Sequence, residues 1–296
     1  MTSMIYPTTN PAMSETMVVA RAEGPYIYDK QGKRYLEGMA GLWCTALGYG
    51  NQEVIEAAER QMRELSFSHM FGGKTHSSAI ELADKLAAMV PMQDGRVFLG
   101  NSGSDANDTL LKLIRYHAEA SGQPNRIKVI AREQGYHGVT LASAALTAIP
   151  TNHAHFQLPF EALGVLRTGS ANYYRGANEG ESEAEFVARR AQELEALIMA
   201  EGPETIAAMI AEPVSGAGGV IVPPEGYFEA IEAVLDRYGI WLWDDEVICG
   251  FGRLGTDFGA NKMGMQPQMM TLAKALSSAY VPVSAAIVQG DIADCI

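Results

Sequence analysis

The sequence predicts an α/β fold with a mostly parallel central sheet covered by helices on both faces. Two observations carry this. The runs Thr205–Ala211, Ile240–Trp243 and Val283–Val288 are apolar almost throughout, as strands buried on both faces are. The segments between them carry apolar residues at helical spacing, so strands and helices alternate along the chain.

The elements follow in order. Met17–Ile27, the turn Asp29–Gly32 and Lys33–Leu36 read as a small β-meander around D-K-Q-G. Asn51 caps a helix with Val54, Ile55, Ala58, Met62 and Leu65 on one face. A second helix carries Ile80, Ala83, Leu86 and Ala87. Val97–Leu99 is a strand, and Ala106, Leu110, Leu113, Ile114 and His117 mark the helix after it. Ile127–Ala131 is the next strand. The polar stretch Thr168–Glu185 reads as a long exposed loop. Ser182 and Glu185 form a capping box for a helix bearing Phe186, Leu194, Leu197 and Ile198. Thr205–Ala211 is a strand. Phe228, Ile231, Val234, Leu235 and Tyr238 face inward from a helix that Gly239 ends. Ile240–Trp243 and Val283–Val288 complete the series. We divide the chain into an N-terminal segment, 1–66, and a larger domain, 67–296.

Composition narrows the function classes. A net charge of −13 argues against nucleic acid as a partner, because phosphate backbones are met by basic surfaces. Three cysteines, Cys44, Cys249 and Cys295, with no C-x-x-C pairing fit a reducing cytoplasm and give no metal site. No apolar run reaches transmembrane length, so no membrane partner is expected. The N-terminus lacks the basic-then-apolar pattern of a signal peptide. His153 and His155 have no third ligand at suitable spacing and read as a loop pair.

In parallel sheets, ligands sit outside the carboxyl ends of the strands. Four such ends carry chemistry. After Val97–Leu99 comes N-S-G-S-D-A-N, opening a helix. Its N–H groups, hydroxyls and helix dipole suit a phosphate, although the same pattern serves a plain N-cap. After Ile127–Ala131 comes G-Y-H-G, where Tyr136 is either a ring that stacks on a flat ligand or ordinary packing. After Thr205–Ala211 comes Glu212-Pro213, and after Ile240–Trp243 come Asp244 and Asp245. Finally, Lys274 stands among Leu272, Ala273, Ala275 and Leu276. A lysine in apolar surroundings serves as an amine nucleophile toward a carbonyl; a snorkelling surface lysine is the other reading. A lysine for an aldehyde and a carboxylate for a ring nitrogen together suggest pyridoxal 5′-phosphate.

In order and spacing these residues resemble the class III (omega) aminotransferases, pyridoxal-phosphate enzymes of fold type I. The matching segments are Leu36–Asn51 (LEGMAGLWCTALGYGN), Asn101–Asp108 (NSGSDAND), Gly135–Gly138 (GYHG), Ala211–Pro224 (AEPVSGAGGVIVPP), Asp244–Gly255 (DDEVICGFGRLG) and Thr271–Ala285 (TLAKALSSAYVPVSA). The resemblance covers nearly the whole chain.

The resemblance implies the following roles. Lys274 matches the lysine that bonds to the cofactor aldehyde and moves the substrate proton. Asp245 matches the partner of the pyridine nitrogen. Val247 lies under one ring face and Tyr136, beside His137, over the other. Gly103 and Ser104 match the phosphate cradle. Glu212 matches a glutamate that in many members pairs with a mobile arginine. Trp43 resembles the aromatic that narrows the pocket in members acting on amines and ω-amino acids. The implied activity is transfer of an amino group from an amine or ω-amino acid to a keto acid such as pyruvate, an EC 2.6.1 type reaction. An aminomutase on the same scaffold and a non-catalytic fragment are the alternatives. Family members form homodimers and continue well past the lysine strand. The sequence here stops at Ile296, in what reads as a helix, Asp291–Ile296. We therefore expect an N-terminal two-thirds, with part of the small domain present and the C-terminal domain absent.

Overall fold

The computed structural model describes residues 3–7, 9–10 and 16–295. The chain divides into two compact units, Met1–Ser66 and Phe67–Ile296.

The first unit holds a three-stranded antiparallel sheet of β1 (Val19–Glu23), β2 (Tyr26–Asp29) and β3 (Arg34–Leu36). Asp29 shapes the turn between β2 and β3. Its Oδ1 accepts from the N–H groups of Gln31 and Lys33, both at 2.9 Å. A left-handed turn follows, with φ of 48° at Ala40, 59° at Gly41, 61° at Leu42 and 62° at Trp43. Helix α1 (Gln52–Glu64) begins at Asn51, whose side chain accepts from Val54 N–H as expected. Its apolar stripe is real, yet none of its residues is buried.

The second unit opens with α2 (Ser77–Met89), β4 (Arg96–Gly100) and α3 (Gly103–Ala120). Then come β5 (Lys128–Arg132), α4 (Leu141–Leu146), β6 (Val165–Thr168), α5 (Glu183–Glu201) and β7 (Ile206–Ala211). Helix α6 (Tyr227–Arg237), β8 (Trp241–Asp245), α7 (Gly259–Met263), β9 (Met269–Leu272) and β10 (Ser284–Val288) complete it. The seven strands form one sheet in the order β4-β10-β9-β8-β7-β5-β6. The pairings from β9 through to β6 are parallel; β10 alone runs against its neighbours β4 and β9.

Strand side chains alternate between faces. Ile130, Met209, Leu242, Met270 and Ile287 enter the core under α2, α5 and α6. Val129, Ala131, Ile210, Trp243 and Met269 enter a second core with Ala106, Leu110 and Ile114 of α3 and Leu146 of α4. This alternation matters for the site. Asp245, two residues from Trp243, shares the α3 face, whereas Asp244 shares the face of Leu242.

Several expectations are corrected. Two strands went unread. Met269–Leu272 is too short to show a period. Val165–Thr168 contains Arg167, whose guanidinium donates to the carbonyls of Leu146 and Thr147, each at 2.7 Å. Thr168–Glu185 is not an exposed loop from end to end. Thr168 ends β6, Ala171 is buried, and Tyr173–Gly176 forms a helical turn whose Tyr173 hydroxyl donates to Glu181 O at 2.6 Å. Of the apolar residues read in the second helix, Leu86 is buried and Ile80 is exposed, and Ala79 is buried beside Leu86. The terminal helix spans Gly290–Ala293 instead of Asp291–Ile296, and Ile296 lies outside the described residues.

Candidate active site

The carboxyl ends of β5, β7, β8 and β9 bring the second unit's predicted residues into one region. Asp245 ends β8 and is 2% exposed. In the sheet it pairs with Thr271 of β9, three residues before Lys274. Lys274 opens a short turn directly after β9, half-buried, with φ of 48°. A left-handed lysine is sterically costly and is a feature of constrained sites.

Asp245 meets donors on both oxygens. Oδ1 accepts from Val247 N–H at 3.1 Å. Oδ2 lies 2.8 Å from His137 Nδ1 and accepts from Asn107 Nδ2 at 3.2 Å. Asn107 Nδ2 also donates to His137 O at 2.6 Å, and Asn107 Oδ1 accepts from the Thr271 hydroxyl at 2.6 Å. The Trp243 indole N–H donates to that same hydroxyl at 2.8 Å. All five side chains are buried.

The G-Y-H-G segment is held against α3. His137 N–H donates to Thr147 Oγ1 at 2.8 Å, and Val139 N–H donates to Ser104 Oγ at 3.0 Å. Gly138 has φ of 135°, and a Cβ there would stand 2.5 Å from Ser104 Oγ and 2.4 Å from Ser143 Oγ. Only glycine serves at that position. Tyr136 is half-buried; burial and then the charge of Asp245 push its phenol above the usual range.

Helix α3 starts with Ser102 as N-cap in a capping box with Asp105. Gly103 and Ser104 thus fall in the first turn, where a helix leaves N–H groups without intrahelical partners. A Cβ on Gly103 would lie 2.9 Å from Val247 Cγ2 and 3.6 Å from Ala273 Cβ. Gly103, Val247 and the residue before Lys274 therefore converge.

Glu212 directly follows β7. It is 3% exposed, and its two oxygens accept from Tyr136 N–H at 3.0 Å and Gly216 N–H at 2.9 Å. Burial pushes its carboxyl up. It braces the loop bearing Tyr136. His137 is buried at 3% exposure, with its Nδ1 against Asp245 Oδ2. Trp43 belongs to the first unit, where it closes the left-handed turn, half-buried.

Two buried carboxyls lie on the opposite face. Neither the Asp244 oxygens nor Glu246 Oε2 meet an N–H or hydroxyl donor, the two carboxyls instead facing each other, while Glu246 Oε1 accepts from Ala260 N–H at 2.7 Å. Burial and then Glu246 push Asp244 well above the usual carboxylate range. His153 serves structure: its Nε2 meets Thr147 O at 2.7 Å and its ring abuts Phe160.

Sequence reasoning missed Asn107 and Thr271. A signal existed for the first. Asn107 stands three, four and seven residues before Leu110, Leu111 and Ile114, so an amide occupies the apolar face of α3.

Comparison with known proteins agrees with this architecture. The family model for class-III aminotransferases matches residues 8–296. A probable γ-aminobutyrate transaminase 2, mitochondrial, from Oryza sativa subsp. indica is 49% identical over 283 residues. That match covers 95% of this chain and 56% of the relative. The γ-aminobutyrate transaminase 3, chloroplastic, of Solanum lycopersicum is 47% identical, with 95% and 54% covered. Among solved structures, the omega transaminase from Pseudomonas jessenii in complex with PMP superposes with a TM-score of 0.96 at 48% identity. It is matched over 99% of this chain and 65% of its own. The chain thus spans little more than half the length of these curated relatives.

Proposed function

The chain belongs to the class-III aminotransferases, and from that premise we propose that the protein is a pyridoxal-phosphate transaminase. It moves an amino group from an amine or ω-amino acid, such as γ-aminobutyrate, to a keto acid such as pyruvate. One observation carries the reading: Lys274 leaves β9 in a strained turn three residues after Thr271, the sheet partner of the buried acid Asp245.

The residues present fit the cofactor. Gly103 leaves a space that a Cβ would fill beside Val247, and Gly138 leaves one beside Ser104. Asp245 is an acceptor fixed by three donors. When bound, pyridoxal phosphate supplies an aldehyde for an amine and a ring that takes up electrons from the substrate.

The chain's own residues do the rest. The first-turn N–H groups of α3 and Ser104 Oγ bind the phosphate. Val247 and Tyr136 hold the two ring faces. Asp245 holds a proton at the ring nitrogen. The Lys274 amine would hold the cofactor through its aldehyde and would carry a proton to and from the substrate Cα. Glu212 fixes the Tyr136 backbone.

Exposed apolar side chains such as Phe67, Phe71 and Val139, at 80%, 81% and 74%, support a homodimer. Three free cysteines support a reducing compartment such as the cytoplasm. The test is product analysis with γ-aminobutyrate or a primary amine plus pyruvate. Alanine formation that requires Lys274 supports the reading; a full-length protein that forms no alanine with any of these donors overturns it.

A further inference from the structure

The polar chain behind Asp245 has a direction fixed by chemistry. An indole nitrogen only donates. The Thr271 hydroxyl must therefore accept from Trp243 Nε1, and its single hydrogen must go to Asn107 at 2.6 Å. Asn107 is thereby forced to turn its carbonyl toward Thr271. Its NH2 then faces two acceptors, Asp245 Oδ2 at 3.2 Å and His137 O at 2.6 Å. Every link is buried: Trp243, Thr271 and Asn107 are each 0% exposed. The three elements joined are β8, β9 and α3, which carry the acid, lead to the lysine and open at the phosphate cradle.

We propose that Asn107 is a positioning residue that fixes the Asp245 carboxylate for the ring nitrogen, with its amide orientation set by Trp243 through Thr271. This rests on the reading of Asp245 given above. Asn107 touches neither cofactor nor substrate; it acts through Asp245. The amide restrains rotation of the carboxylate about its Cβ–Cγ bond and tethers the His137 backbone, so one side chain both donates to Asp245 Oδ2 and holds its other polar neighbour.

The experiment is a double-mutant cycle in the full-length protein, with Asn107→Leu, Asp245→Asn and the pair. Two quantities are read: the dissociation constant of pyridoxal phosphate from its visible absorbance, and kcat and KM for amine plus pyruvate. A hydrogen bond to a charged group is worth roughly 1.5–3 kcal/mol, about a tenfold to hundredfold effect. We expect Asn107→Leu to lower kcat by that factor, with KM changed less than about threefold, and to weaken cofactor binding. In the Asp245→Asn background the same substitution should change both quantities less than about threefold, because its target is gone.

Equal losses in both backgrounds would make Asn107 a packing residue and overturn the proposal. So would an Asn107→Leu enzyme within threefold of wild type. Near-normal turnover in Asp245→Asn alone would instead remove the reading of Asp245, and the proposal with it. If Asn107→Leu does not fold, Asn107→Asp keeps the shape and puts an acceptor where the donor stood. It should lose at least as much, and the cycle is read in the same way.

Discussion

Replacing Thr271 by Val isolates the worth of one buried hydroxyl. Valine has almost the same shape, so packing among Trp243, Asn107 and their neighbours is kept. What changes is the hydrogen-bond ledger. The Trp243 indole N–H loses its acceptor at 2.8 Å, and Asn107 Oδ1 loses its donor at 2.6 Å. Trp243, Thr271 and Asn107 are each 0% exposed, so water does not replace the lost partner. Each of the two stranded polar groups costs roughly 1–3 kcal/mol, and the apolar gain of the new methyl offsets about 1 kcal/mol, so a net loss of about 1–5 kcal/mol is expected. Against a typical total of roughly 5–15 kcal/mol this is a large fraction. The companion variant is Thr271→Ser, which keeps the hydroxyl and loses a buried methyl, at about 1 kcal/mol. Urea unfolding followed by circular dichroism gives both values. The expected order is Thr271→Val well below Thr271→Ser, although valine is the more apolar and better-filling residue. Equal midpoints for Thr271→Val and wild type, or a larger loss in Thr271→Ser, would refute the argument that the hydroxyl links the two polar groups.

Other outcomes follow from the same geometry. Borohydride reduction of the protein with pyridoxal phosphate, followed by peptide mapping, should place the label on Lys274; a label on Lys112 or Lys128 would sink that assignment. Gly103→Ala puts a Cβ 2.9 Å from Val247 Cγ2, so Val247 must shift, and cofactor should bind about tenfold more weakly, a change of about 1.4 kcal/mol in its absorbance titration; unchanged affinity would show that this contact does not shape the cradle. Asp244→Asn should flatten the pH dependence of stability. Burial raises the folded-state affinity of the Asp244 carboxyl for its proton. The folded state therefore loses stability as pH rises above the unfolded carboxylate range near about 4. Relative to wild type, Asp244→Asn should gain stability from pH 5 to pH 8 in urea titrations; a constant difference would mean that the folded state does not hold the Asp244 proton above the unfolded carboxylate range.

Much of the scaffold was legible in the sequence, because its signals are short-range. The Asn51 cap and the Ser182–Glu185 capping box require residues three apart, and both bonds are formed. The apolar runs at Ile206–Ala211 and Trp241–Trp243 announce strands buried on both faces. The site residues that ended strands were equally visible, since a carboxylate or lysine interrupts an apolar run. The short strands Val165–Thr168 and Met269–Leu272 were not, because four residues carry too little periodicity.

What the sequence determined by itself was the set of elements and the chemistry at their ends: a lysine after one strand, an acid after another, glycines and hydroxyls opening a helix. Tertiary structure alone decided how those ends work together. Only the order β4-β10-β9-β8-β7-β5-β6 puts Asn107 against Thr271, 164 residues away, and against Asp245, 138 residues away. It likewise sets the Glu212 carboxylate under the N–H groups of Tyr136 and Gly216. Caps and periodicity are encoded between neighbours in the chain. A buried hydrogen-bond partner is set by which strand lies beside which, and that arises from crossovers whose ends are distant in sequence.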